Sequence, residues 1–580
     1  MATLLIRGWR WVFVVAAVAW GGALAYSALA ARVLYGDGSF YVLAHLLKPH
    51  RFNDYDSQRS FASFITQAPM LLAQRFGVDM VAWYAIFYSV GVFVFPALAM
   101  LAALFFSRRQ PVLFATNAAA IIVYGFGANF INTEANLLFG LVWLSATILA
   151  LDRPAPILRG IVLPVIAFAL LRTYEGMLLI GPVLALWSLY AASLAQTDRE
   201  RLGLGICVLL FLLGAVIGMG GLLAPRDPSN ASGFLASAFA FLKNPHALLM
   251  LAALLAFPAI WHPSRRLLIV CAALSAACGI AYVLAIARIE GFYSFSVYYY
   301  NRAFMVLSLP VFVAALFASS YFRPQWLQTR TAQEGYALML VPLAFAVAGD
   351  MLGTYRWTQY TEAFCAILDK DVSPAERLNL LKQSGAKTAW AWTHPTMSLL
   401  LRDRGSKALV VNDPGQFEPF DAGKAVSIPY RGLCQAPILG EARPDSLDLP
   451  MSFTKGNYPS YVLGVRGLSN PEGWATWSEG SKVDIRFARP LPRSFDATLR
   501  VASAFGGNKR LPVTVRAGNS EQTFVVDREP YEVTLRFREV GSAAMLSFAI
   551  PQPQSPLELG TGNDPRKLGI AFVSLSIAPK

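Results

Sequence analysis

Charge is scarce in this chain. Only 14% of its 580 residues are Asp, Glu, Lys or Arg, while 56% are hydrophobic. Soluble domains carry about a quarter charged residues, so the composition excludes an ordinary soluble enzyme and points to a membrane protein; the mean hydropathy of +0.47 agrees. Three signatures are missing: a Walker-type phosphate loop, an H-E-x-x-H pair, and a glycine fingerprint opening a helix after a strand. Their absence argues against an ATP-driven transporter. Cysteine is sparse too, with five in all. Cys207, Cys271 and Cys278 fall inside apolar runs and read as small packing residues. Cys365 and Cys434 follow the last run and could pair if that region faces an oxidising compartment. Spacing alone leaves that pairing open.

What the chain has in abundance is apolar segments of spanning length, near 11–31, 81–105, 135–151, 176–195, 203–223, 246–261, 267–287, 303–320 and 335–353. Two more, 111–127 and 160–171, are short or interrupted, and the second needs a tilted or half-buried helix. Together they predict about eleven spans. The first run is too long for a signal-peptide core and reads as an uncleaved helix. Net charge is +14, yet the arginines stand in pairs between apolar runs, as at Arg108-Arg109 and Arg265-Arg266. That pattern is topology information, not a nucleic-acid surface. It predicts a cytoplasmic N-terminus, with everything after Gly353 outside a bacterial cytoplasmic membrane.

Composition changes after Gly353. Residues 354–450 alternate helical stretches with the short β runs TAWAW and KALVVND, which predicts a small α/β unit. From 451 to 580 the runs KVDIRFA, ATLRVASAF, PVTVRAG, QTFVVD, YEVTLRF, AMLSFAI and IAFVSLSI alternate between turns, which predicts an antiparallel β-sandwich. The domain plan is therefore a membrane domain over 1–353 with a long loop at 32–80, then the α/β unit, then the sandwich.

Chemistry-bearing residues gather in the loop after the first span, YGDGSFYVLAHLLKPHRFNDYDSQRSFASFITQAP, residues 35–69. Asp37 reads either as a helix N-cap or as a general base at the membrane surface. Asp54 and Asp56 read as solvated loop acids; as a pair they could hold a divalent cation through oxygens. His45 and His50 suit packing or phosphate contact, because no third ligand stands at a metal spacing. Arg172 and Glu175 sit in LLRTYEGMLL, where an ionisable pair at membrane depth is either functional or a helix-joining ion pair. Asn132 and Glu134 in FINTEANLL invite the same argument, more weakly because they lie in a turn. Tyr300, Asn301 and Arg302 end YSFSVYYYNR, which is either an aromatic belt or, with Arg172 and Arg59, a phosphate-binding group.

Many spans, an acid just after span one, surface helices beside it and a soluble outer C-terminus together resemble the GT-C class of membrane glycosyltransferases. The resemblance covers residues 1–353 and maps the class's loop acid onto Asp37. It implies a polyprenyl-phosphate sugar donor, a glycan or lipid acceptor, membrane lipid around the spans, and single-displacement transfer. Many class members carry a close acidic pair, where this chain has one acid in GDG. A second resemblance rests on GLSNPEGWATWSEGSKVDIRFARPLP and SFAIPQPQSPLELGTGNDPRKLGIAFVSLSI. These look like a sandwich module at the C-terminus of bacterial membrane glycosyltransferases and phosphoglycerol transferases, with a shape suited to carbohydrate. Two other readings remain: a transporter or flippase for an envelope glycan or lipid, and a non-catalytic glycan-binding subunit of a polymer-assembly system.

Overall fold

The computed structural model describes residues 8–47, 59–78, 80–126, 134–151, 155–223, 240–255, 258, 264–288, 295–322, 338–368, 374–383, 394–401, 432–434, 437–439, 451–454, 458, 462–487, 490–506, 509–527 and 529–580. The chain forms two compact units: Met1–Ser398 with Leu409–Phe417, and Leu399–Ala408 with Glu418–Lys580.

The first unit is helical. Among the described residues five helices are long and apolar enough to cross a membrane: Arg10–Leu29, Val81–Phe106, Asp198–Gly221, Arg265–Arg288 and Asn301–Phe322. Their outward faces carry Val18, Leu209, Val216, Ile269 and Val311, all more than half exposed. A continuous apolar surface of this kind is stable against lipid and not against water. Four shorter apolar helices lie between them, Pro111–Phe126, Ala135–Ala150, Leu158–Leu170 and Met177–Ser193. The two segments expected to be short or interrupted both contain a π-helical stretch, at Ile121–Phe126 and Leu158–Val162. Such a stretch widens the helix locally without breaking it.

The last apolar run does not stop at Gly353, because one helix continues unbroken over Leu340–Leu368. Its length has a visible cause. Asp350, Thr354 and Trp357 lie three and four residues apart, share one helix face, and are all buried. The two β runs expected at 388–392 and 407–413 lie outside the described residues. Cys365 and Cys434 are disulfide-bonded, while Cys207, Cys271 and Cys278 are free thiols.

The second unit holds two antiparallel sheets. Strands are β1 (Met451–Ser452), β2 (Val462–Arg466), β3 (Thr476–Glu479), β4 (Lys482–Phe487), β5 (Phe495–Ala504), β6 (Pro512–Ala517), β7 (Ser520–Val525), β8 (Tyr531–Phe537), β9 (Met545–Ala549) and β10 (Leu568–Pro579). One sheet runs β1-β10-β5-β8, with β3 also on β10; the other runs β2-β4-β9-β6-β7. Alternation explains the core: Val483, Ile485 and Phe487 point inward from β4, as Phe495, Ala497, Leu499 and Val501 do from β5. Phe548 of one sheet meets Phe572 of the other edge-on at 5.2 Å. The seven expected strand runs correspond to β4 through β10; β1, β2 and β3 escaped the sequence reading. They are short, and the pairing of β2 shifts register between Val462 and Gly464.

Candidate functional site

Two backbone features shape the chain after the first helix. Ala31 has φ 54°, in the left-handed region, and a short turn Arg32–Leu34 follows. Gly36, at φ 60°, then redirects the chain into the helix Asp37–Leu47. Glycine takes that conformation without steric cost. The first amides of this helix go to main-chain acceptors, Gly38 N–H to Tyr35 O at 3.4 Å and Ser39 N–H to Gly36 O at 3.3 Å. The Ser39 hydroxyl bonds Gly36 O at 3.0 Å and Thr396 Oγ1 at 2.8 Å. The N-cap role considered for Asp37 is thus not the observed one. Asp37 is the first helical residue, and among the described residues its carboxylate accepts no hydrogen bond. A negative charge there still gains from the helix dipole.

Around Asp37 the fold assembles charges from four separate stretches. Tyr41, one turn further along the same helix, donates to Glu134 Oε1 at 2.5 Å. Arg59 reaches the other Glu134 oxygen at 3.4 Å and binds Glu175 Oε1 through Nε at 2.8 Å. Its guanidinium also lies over the Tyr174 ring, 4.6 Å from the centroid. Arg302 donates through Nε to Tyr174 OH at 2.7 Å, and a second nitrogen, Nη2, bonds the same hydroxyl. The helix Ser60–Arg75 is held to this group from its start. Phe61 and Ala62 donate their amides to the Arg172 carbonyl at 3.1 and 3.2 Å. That pair of bonds places Arg59 beside the 174–175 turn.

The electrostatics separate the two acids. Asp37 is pushed up to about 7, first by burial and next by the Glu134 charge, with Arg302 and Arg59 pulling the other way. Burial acts upward on Glu134 too, but Arg59, the Tyr41 hydrogen bond and Arg302 outweigh it and leave Glu134 below its ordinary value. Burial works against the Arg59 cation, yet Glu175, Tyr174 and Glu134 hold it firmly protonated. Burial and the same Glu134 charge keep the Tyr41 phenol protonated. Two carboxyls in one site, one poised near neutrality and one held below its ordinary value, form an arrangement suited to proton transfer.

Of the residues singled out from sequence, the structure gathers Asp37, Arg59, Glu175 and Arg302. Asn301 is buried beside Arg302 on the same helix; Tyr300 lies on that helix too, with its side chain outside what is described. Arg172 contributes its carbonyl, and its side chain is exposed. Glu175 pairs with Arg59, in place of the local Arg172 partner considered from sequence. His45 is buried against Tyr84. His50, Asp54, Asp56 and Asn132 lie outside the described residues. Glu134 joins the group through its ion pair with Arg59, the plainer of the two roles considered for it, and Tyr41 and Tyr174, not singled out from sequence, join it too. The signal was available: Tyr41 stands four residues after Asp37, and Tyr174 sits between Arg172 and Glu175. Among the described residues no three His, Cys, Asp or Glu side chains gather as metal ligands would.

A family described as "Domain of unknown function (DUF7024)" matches residues 448–579, the segment that holds both sheets. The chain is 39% identical over 129 residues to phosphoglycerol transferase I of Salmonella paratyphi B, and equally to those of Salmonella newport and Salmonella heidelberg. The aligned part is 22% of this chain and 17% of each relative, so the chain spans about a sixth of the length of the curated relatives it matches.

Proposed function

We propose that this chain is a membrane glycosyltransferase of GT-C-like architecture, moving a sugar from a polyprenyl-phosphate carrier to a hydroxyl of an envelope glycan or lipid. The observation that carries the reading is Asp37: a carboxyl with no hydrogen-bond partner among the described residues, raised to about 7 and ringed by Glu134, Arg59 and Arg302. In this reading about eleven apolar segments cross a bacterial cytoplasmic membrane, the N-terminus is cytoplasmic, and the 32–80 loop and the C-terminal unit face outward. Asp37 takes the proton from the acceptor hydroxyl as its oxygen attacks the anomeric carbon. The bond from that carbon to the phosphate oxygen breaks, its electron pair stays on the phosphate, and the configuration inverts. Arg302 and Arg59, both beside Tyr174, offer donors to the phosphate as charge builds there, which favours the transition state over the ground state.

A second reading, transfer of a phosphoglycerol group, is favoured by the local similarity to phosphoglycerol transferase I. There the same base would take the proton of an acceptor hydroxyl as its oxygen attacks phosphorus, while the bond from phosphorus to the diacylglycerol oxygen breaks and that oxygen leaves with the electron pair. One experiment separates them. The purified chain in lipid nanodiscs is given either radiolabelled polyprenyl-phosphate sugar or phosphatidylglycerol labelled in its glycerol headgroup. Label transfer from the first donor, lost in Asp37→Asn, supports the glycosyltransferase reading. Transfer from the second donor alone, or full sugar transfer by Asp37→Asn, overturns it.

A further inference from the structure

One end of the β-sandwich carries a second group of residues that the proposed reaction does not use. The loop before β3 brings up Trp474, which is 49% exposed. Gly473, at φ 81° with no atom within 4 Å of a would-be side chain, forms the open turn that presents it. The indole does not hang loose. It meets buried Trp477 edge-on at 5.9 Å, and Trp477 meets Phe505 edge-on at 5.9 Å. Three rings, from the loop before β3, from β3 itself and from the end of β5, thus fix the orientation of the outermost one, leaving a flat aromatic ledge.

Beside the ledge stands a prearranged polar set. Arg566 binds Asp564 through Nη2 at 2.6 Å and through Nε at 2.9 Å, and reaches Glu472 Oε1 through Nη2 at 3.2 Å. Glu472 is two residues from Trp474, so ring and ion pair share one turn. The Leu557 amide bonds the Asp564 carbonyl at 3.1 Å, which sets the 56% exposed Leu557 side chain in the same loop. All three charged groups remain about one-third exposed, at 34% for Arg566, 32% for Glu472 and 29% for Asp564.

The chemistry of this set selects its occupant. Arg566 faces two carboxylates, and the adjoining Lys567 is taken up by Glu558, so acids still outnumber cations, a balance unfavourable to phosphate, nucleic acid or an anionic headgroup. Donors and acceptors are both on offer, fixed in place by their mutual bonds. A sugar ring is complementary to that combination, with an apolar C–H face for the indole and paired hydroxyls at its edge for guanidinium and carboxylate. We propose that Trp474, Glu472, Asp564 and Arg566 form a binding subsite for a neutral glycan. The subsite stands apart from Asp37 in sequence and chemistry, and its occupancy needs no transfer reaction.

The test measures binding of fluorescently labelled neutral hexasaccharides (maltohexaose, cellohexaose, laminarihexaose and mannohexaose) to the full chain in nanodiscs. The expected result is saturable binding of at least one of them, weakened about tenfold in Trp474→Ala, as one aromatic contact implies. Trp474→Tyr keeps affinity within about threefold, because a stacking face remains. Arg566→Gln weakens binding while leaving the ring in place. Asp37→Asn binds as the parent chain does, so a failed transferase reading and a failed subsite are told apart. Binding of none of the four sugars, or equal binding by Trp474→Ala, overturns the proposal. So does preferential binding of soluble anionic headgroup analogues such as glycerol phosphate at the same residues.

Discussion

Arg32 donates from Nη1 to Asp350 Oδ1 at 2.9 Å, joining residues 318 positions apart. The same nitrogen reaches Thr354 Oγ1 at 2.6 Å and the Asp350 carbonyl at 3.2 Å, and both charged side chains are almost fully buried. The neighbouring chain is fixed to the same helix. Trp357 Nε1–H donates to the Ala30 carbonyl at 2.9 Å, and Tyr35 meets the Trp357 ring edge-on. Asp37 follows two residues later, so its position descends from this clamp.

Removing the carboxylate from the clamp strands a buried cation. Asp350→Ala is expected to cost about 3–5 kcal/mol, the usual penalty for breaking a buried pair from one side. A double exchange, Arg32→Met with Asp350→Leu, removes both charges and is expected to cost much less. Thermal unfolding of the purified chain in detergent checks the ordering. If the double variant were the less stable, the pair would be stabilising in its own right.

In the proposed reaction Asp37 makes activity depend on pH in a defined direction. A base must be ionised to accept a proton, so transfer is expected to rise with pH through about 7 and then level off. Glu134→Gln removes a charge that raises Asp37 and moves the limb to lower pH, whereas Arg302→Gln removes a lowering charge and moves it up. Stability runs oppositely. Because the folded carboxyl titrates above its ordinary 3.8, the folded state binds more protons between about 4 and 7 and loses stability as pH rises across that window. Asp37→Asn should therefore stabilise the chain at pH 8 and leave it unchanged below pH 4. Rate profiles and melting temperatures over that range test both signs.

The parts legible in the sequence were those set by local pattern. Alternation along KVDIRFA and ATLRVASAF gave strands because each second residue had to be apolar to face a sandwich core. Apolar length gave the helical segments, and the GDG turn marked where a helix begins. What stayed hidden depends on distant pairing. Nothing near Arg32 in sequence announces Asp350, and nothing near Arg59 announces Glu134 or Glu175. Glu134 looked ordinary because it ends a turn; its partners arrive from far back in the chain, Tyr41 on the helix Asp37–Leu47 and Arg59 at the start of the helix Ser60–Arg75. The edge strands β1 and β2 were missed because short edges owe their form to the neighbour they pair with.

Arg59 serves three groups at once, which lysine cannot reproduce. Its fork spans Glu175 and Glu134 while its plane lies on Tyr174. Lysine offers a point charge without that planar geometry. Arg59→Lys is expected to lose about 1.5–3 kcal/mol of stability, the worth of a charged hydrogen bond, and to slow transfer at every pH. Comparing Arg59→Lys with Arg59→Gln separates charge from shape. Equal losses would mean that only the fork matters, and a fully active Arg59→Lys beside an impaired Arg59→Gln would mean that the positive charge suffices without the fork.

Gly91 decides how closely the Arg59 helix lies against the membrane helix beneath it. Gly91 stands in the π-helical stretch Val90–Val94, and a methyl group built there would fall 2.0 Å from the Thr66 carbonyl oxygen. Thr66 lies in Ser60–Arg75, the helix that begins immediately after Arg59. The clash is with backbone, so no side-chain rotation relieves it, and the two helices must part. Gly91→Ala is expected to cost about 1–3 kcal/mol by overpacking, and to lower transfer further by shifting Arg59 from Glu134 and Glu175. Gly205→Ala is the matched control, since nothing lies within 4 Å of a side chain there and alanine suits a helix better than glycine. It should be neutral or mildly stabilising. Melting temperature and turnover measured on both variants decide the matter: if Gly91→Ala melted and turned over like Gly205→Ala, close contact at Thr66 would not be what positions Arg59.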